Sequence, residues 1–139
     1  MWGWLRRHLL RQPAENSLGG RGEDLAANFL RSLGYRILER QMRGRYGELD
    51  LIALDGESIV FVEVKTRSSS VAGDPTDAIT SDKQRKITQS ALEYLKRRRW
   101  LDRRVRFDVI AILWNGNHPP DIRHYPSAFD ASGFGQMYS

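Results

Sequence analysis

The sequence predicts an α/β protein in which a central β-sheet is flanked by helices, in the order helix, three strands, helix, strand. Two runs, Leu51-Ile52-Ala53-Leu54 and Ser58-Ile59-Val60-Phe61-Val62, are rich in β-branched and large apolar residues. They flank Asp55-Gly56, the favoured dipeptide of a two-residue type I′ hairpin. Both alternating sets are apolar, Leu49, Leu51, Ala53, Val60, Val62 and Val64 on one side and Ile52, Leu54, Ile59 and Phe61 on the other. Strands buried on both faces need helices above and below, and apolar stripes at helical spacing occur on either side of the hairpin.

Residues 1–18 read as an N-terminal arm, ahead of a single domain over 19–126 and a tail over 127–139. Met1-Trp2-Gly3-Trp4-Leu5-Arg6-Arg7 is basic but lacks the apolar run of a secretory signal, and Trp2 and Trp4 read as hydrophobic docking groups. A helix is predicted from Arg21 to Leu33, stopped by Gly34, with Leu25, Phe29, Leu30 and Leu33 as its apolar stripe. Glu23 lies at the edge of that stripe, where the plain reading is a carboxylate favoured by the helix dipole. Tyr35 to Gln41 is a first strand, followed by a basic turn from Met42 to Gly47 and then by the two hairpin strands. Thr66 to Asp77, with three serines, Gly73 and Pro75, reads as a loop rimming a cleft.

A second helix is predicted from Ser81, whose Ser-x-x-Gln spacing to Gln84 resembles a capping box, to about Arg99. Ile87, Ala91 and Leu95 mark its buried side, and extending that stripe back one turn brings Lys83 and Gln84 toward the same cleft. Val105 to Trp114 is a strand interrupted by Asp108, which reads as a structural partner for an arginine. Ile122 to Tyr125 adds a short edge strand. His8, His118 and His124 have no metal-ligand spacing.

With 139 residues and 40% hydrophobic content, the chain can bury one domain core unaided. It has no cysteine, which excludes disulfides, thiolate zinc sites and cysteine nucleophiles, and suits a reducing cytoplasm. The net charge is +5 and mostly arginine, lysine occurring only at Lys65, Lys83, Lys86 and Lys96. Arginine favours bidentate phosphate contacts, and no long apolar segment is present to span a membrane, so nucleic acid is the expected partner. Arg43, Arg45, Arg67, Lys83, Arg97, Arg98 and Arg99 are the expected contact residues, with an affinity that falls steeply with salt.

Acidic groups interrupt the apolar hairpin at Gly47-Glu48-Leu49-Asp50 and Glu63-Val64-Lys65. With Asp55 and Gly56 as the loop, Asp50 lies opposite Phe61 and Glu48 opposite Glu63, which makes Asp50 and Glu63 diagonal neighbours about 7–8 Å apart at Cα. Alternation puts Lys65 on the same face as Glu63. Two carboxylates brought to ~4 Å repel by about 1 kcal/mol in water and by several times more in a partly buried cleft, so something positive belongs there. A Glu63–Lys65 ion pair would satisfy this without any chemistry, whereas one cation touching both carboxylates would make a metal site.

Asp50 followed by Glu63-Val64-Lys65 resembles the PD-(D/E)xK nuclease motif, and the flanking helices with Glu23 and Gln84 resemble its Holliday-junction resolvase branch. Gly22-Glu23, Gly34-Tyr35, Gly47-Glu48-Leu49-Asp50-Leu51-Ile52-Ala53, Phe61-Val62-Glu63-Val64-Lys65-Thr66-Arg67 and Arg106-Phe107-Asp108-Val109 are more closely similar to the bacterial YraN family, over Gly19 to Leu113. Leu49 stands where a proline often precedes the aspartate. The resemblance implies a restriction endonuclease-like core with a central mixed sheet, and Mg²⁺ or Mn²⁺ held by Asp50, Glu63 and the Val64 carbonyl. It further implies that Lys65 orients or deprotonates the attacking water, that Glu23 assists the metal, and that Gln84 supports the lysine or the scissile phosphate. The implied activity is endonucleolytic, on DNA and in this branch on branched DNA by a homodimer. The alternative is a nucleic-acid-binding protein that keeps the fold without turnover.

Overall fold

The computed structural model describes residues 18–68, 79–116 and 118–131, with the side chains of 18 and 19 excepted. The expected arm with Trp2, Trp4 and His8, most of the serine-rich loop and the end of the tail lie outside these residues. The elements are α1 (Leu18–Ser32), β1 (Arg36–Gly44), β2 (Gly47–Asp55), β3 (Ser58–Ser68), α2 (Ser81–Arg98), β4 (Val105–Asn115) and β5 (His118–Phe129). The chain is therefore α/β, and the sheet runs β1-β2-β3-β4-β5 with β3 and β4 parallel and every other pair antiparallel. Parallel neighbours cannot be joined by a tight turn, and α2 lies in the crossover between them.

Each face of the sheet carries one helix. Ala26, Ala27 and Leu30 of α1 pack on Leu51, Ala53, Val60, Val62, Ile110 and Ile112. Ile87, Ala91, Tyr94 and Leu95 of α2 pack on Leu49, Ile52, Ile59, Phe61, Phe107 and Val109. The two layers separate the alternating residues of β2 and β3 as expected, except that Leu49 has crossed to the α2 side. Leu33, expected in the core of α1, is half exposed because the helix ends at Ser32 and turns at Gly34 (φ +91°). Two alanines do the packing instead, which lets α1 approach the sheet closely.

The β2–β3 turn differs from the expected one by a single step on each strand. Asp55 pairs with Ser58, so Gly56 and Glu57 form the loop. Gly56 has φ +59° and Glu57 has negative φ, which fits a II′-like turn with glycine first and not a I′ turn. The shift is even and preserves side-chain parity, and extending the register past Leu51–Val62 puts Asp50 directly opposite Glu63 instead of diagonal to it.

The other departures have local causes. Helix α2 is capped by Thr80, whose hydroxyl accepts the Lys83 N–H, one residue before the expected Ser81. It ends at Arg99 in the left-handed conformation (φ +60°), with its N–H on the Leu95 and Lys96 carbonyls. β3 continues through Thr66 and Arg67 to Ser68, where a loop was expected, because this stretch pairs with Leu113 and its neighbours on β4. β5 is a full edge strand, and its prolines at Pro119, Pro120 and Pro126 suit an edge. Asp108 holds Arg106, as expected, and also accepts from the Ser127 N–H and bonds His124 Nε2 at 2.8 Å.

Candidate metal centre

The site forms where the β2–β3 ladder stops. Leu51 pairs with Val62, and beyond that pair the Asp50 side chain takes the place of a ladder acceptor, its Oδ2 receiving the Val64 N–H at 2.8 Å. Leu51 packs toward α1 and Leu49 toward α2, so the alternation slips by one residue at Asp50. Beside it on β1, Gln41 is in the left-handed region (φ +48°), and Arg40 and Gln41 both reach α1. Asp50 and Glu63 come together as expected, with Lys65 beside Glu63, and the slip in alternation also brings Asp50 near Glu23 of α1.

Carboxylates reach this junction from three elements. Glu23 of α1, Glu48 and Asp50 of β2 can bring one oxygen each within 4.8 Å of one another. Glu63, only 6% exposed, lies within hydrogen-bonding reach of Asp50 and carries Lys65 Nζ and Lys83 Nζ, each 3.6 Å from its Oε1. The sequence register placed Glu48 opposite Glu63; the structure groups it instead with Glu23 and Asp50. It also receives Arg43 Nε at 3.0 Å.

Electrostatics and polar satisfaction single out two of these groups. Burial, followed by the Glu63 and Glu23 charges, raises the Asp50 carboxyl to about 8 against the pull of the Val64 N–H. Burial also raises Glu23, opposed by a hydrogen bond from Gln41 Nε2 to its Oε2 (2.8 Å) and reinforced by Glu48. The other oxygen of Glu23, Oε1, is buried and has no hydrogen-bond partner. A buried carboxylate oxygen left unpaired is costly, and a cation among these oxygens would relieve both that cost and the mutual repulsion. All the donors are hard oxygens, which fit Mg²⁺, Mn²⁺ or Ca²⁺ and not a soft thiophilic ion. Because N–H and C=O of one strand residue face the same side, the Val64 carbonyl points to the Asp50 edge of β3 as well.

Other expected residues have partners of their own. Glu23 is the sixth residue of α1, beyond the first turn where a helix dipole acts, so the dipole does not explain it. Gln84 is engaged at the entry to α2, where it donates its amide to the Ile79 carbonyl (3.1 Å), instead of at Lys65. Lys83 does face the cleft, through Glu63. Among the arginines, Arg43 pairs with Glu48, Arg45 and Arg97 with Glu93, and Arg98 with Glu39 while its guanidinium lies over Tyr94 and Trp100. The contacts that sequence reasoning missed, Arg40–Asp24 and Gln41–Glu23, join β1 to α1. No sequence pattern signals them, since both pairs depend on the docking of a helix across a strand.

A family profile described as "Uncharacterised protein family UPF0102" matches residues 22–112. A UPF0102 protein of Geobacter metallireducens is 52% identical over 114 residues, covering 82% of this chain and 93% of the relative. One from Rhodococcus opacus is 49% identical over 115 residues, covering 81% and 96%, and one from Rhodopirellula baltica is 43% identical over 140 aligned positions, covering 97% and 84%.

Proposed function

From the premise that the chain belongs to the uncharacterised family UPF0102, the YraN family whose pattern its sequence carries, we propose that it is a metal-dependent endonuclease acting on nucleic-acid phosphodiester bonds. The observation that carries this reading is the unpaired, buried Glu23 Oε1 beside Glu48 and Asp50, with two lysines converging on the neighbouring Glu63. A structural ion pair needs one lysine and one carboxylate. It does not need three further carboxylates with a raised Asp50.

Asp50 and Glu63, with the Val64 carbonyl and support from Glu23 and Glu48, would hold Mg²⁺ or Mn²⁺. The ion would supply charge to the phosphate oxygens and lower the pKa of water. Lys65 follows Glu63 by two residues on β3 and reaches the same cleft, where it would orient a water molecule and, only after giving up its own proton, take one from it. Lys83, from the first turn of α2, adds a second positive group for a non-bridging phosphate oxygen. Gln41 holds the second oxygen of Glu23 and so fixes which oxygen is turned to the site.

Purified protein should be incubated with linear, flapped and four-way DNA and with RNA, in Mg²⁺, in Mn²⁺ and in EDTA. Cleavage of at least one substrate with either metal and none in EDTA is expected, and Asp50→Asn should abolish it. Nucleic-acid and metal binding without cleavage of any of these substrates would favour the non-catalytic binding protein.

A further inference from the structure

A groove leads away from the acidic site between α2 and the β1–β2 turn. It consists of two depressions of about 230 Å³ each that share Tyr46 as a wall. The nearer one is bounded by Glu48 of the acidic group and by Lys83, which touches Glu63, together with Lys86. The farther one is bounded by Arg45 and Lys96, with Glu93 between them. Tyr46 is half-buried at the turn, and the Arg45 guanidinium lies 5.2 Å from its ring centroid. From Lys83 to Lys96 the helix rises about 20 Å, the span of about six nucleotides at the 3.4 Å stacked spacing.

We propose that this groove binds single-stranded nucleic acid and feeds it to the acidic site, with a base stacked on Tyr46 and the phosphates following Lys83, Lys86 and Lys96. The proposal rests on the nuclease reading for the fate of the strand, but not for its binding. Each depression is smaller than the ~300–1,000 Å³ pockets that enclose a drug-sized ligand, so it has room for one base but not for a base pair. A lysine track with an aromatic wall is the arrangement that binds single strands without regard to sequence. A duplex, by contrast, would meet the protein through its outer phosphates and would have no use for a ring set between the helix and the turn. The chemistry is common to DNA and RNA.

The test is fluorescence anisotropy in EDTA, so that nothing is cut, using a labelled strand of about twelve nucleotides as DNA, as RNA, and as the DNA strand annealed to its complement. The wild type should bind the single strands more tightly than the duplex. Tyr46→Ala should weaken single-strand binding by about 5- to 150-fold, the range for loss of one stacked base, while Tyr46→Phe retains it and duplex binding stays unchanged. Lys96→Ala, at the helix surface far from the core, should lower the salt slope of single-strand binding by about 0.7. Preference for duplex, or a Tyr46→Ala protein that binds single strands as the wild type does, would overturn the proposal. Single-strand binding through Tyr46 with no metal-dependent cleavage would leave the groove standing and remove the nuclease.

Discussion

Asp50 is the residue on which the site depends, and its environment sets a pH dependence that can be read without any substrate. Its carboxyl is raised from the ordinary 3.8 to about 8, first by burial and then by Glu63 and Glu23. In the metal-free protein the folded state therefore keeps a proton that the unfolded chain releases above pH ~4, so this group makes stability fall as pH rises from about 4 to about 8. Asp50→Asn removes that titration, and its urea midpoint should decline less than the wild type's over this interval. An identical decline in both proteins would show that Asp50 is not held protonated. At this scale the sequence disclosed Asp50, Glu63 and Lys65, because acidic groups on an otherwise apolar hairpin stand out. Glu48 was visible as an acidic residue opposite Glu63, but its grouping with Glu23 and the true anchor of Gln84 were hidden, since both depend on how the helices sit against the sheet.

Helix α1 positions Glu23, and one glycine governs how close that helix comes. A Cβ at buried Gly22 would overlap Thr66 Oγ1 of β3. Alanine is the better helix former by about 1 kcal/mol, but here its Cβ has no room, so the close approach of α1 to β3 outweighs the propensity term. Gly22→Ala should lower stability by about 1–3 kcal/mol in urea unfolding, the usual range for overpacking, and Thr66→Ala in the same chain should recover most of it. A more stable Gly22→Ala protein would mean that α1 has room to move and that Glu23 is not fixed by this contact. The sequence predicted the elements themselves well where their periodicity was strong, as in β2, β3, β4 and the buried side of α2. It missed the contribution of Ala26 and Ala27, because small residues at an interface carry little hydrophobic signal. The length of β5 was also hidden, since its pairing with β4 overrides three prolines and a polar composition.

Over the whole molecule, the excess of arginine led to the expectation of an anionic partner, but the fold uses several of the same side chains internally. Arg43, Arg45, Arg97 and Arg98 each face a glutamate, and Arg106 is tied to Asp55 and Asp108. Exposed pairs of this kind contribute ~0–1 kcal/mol each, so a phosphate can displace the glutamate at little cost. The lysines are distributed differently, with Lys65 and Lys83 on Glu63, and with Lys86, which also pairs with Asp82 at 3.2 Å, and Lys96 along the groove. Composition could not show this division, which arises only when α2 is laid against the hairpin. Among the described residues no helix is long and apolar enough to cross a membrane.

Separating metal binding from cleavage in Lys65→Ala tests the proposed nuclease assignment most directly. The substitution leaves every carboxylate in place, so Mn²⁺ titrated by calorimetry into the variant should bind within a few-fold of the wild type. Cleavage of the best substrate by the same preparation should fall by roughly 10²–10⁴-fold, as expected for a lost acid–base group. A variant that cleaves at the wild-type rate, or one that loses its fold and its Mn²⁺ together, would contradict the assignment and leave Lys65 as the structural partner of Glu63.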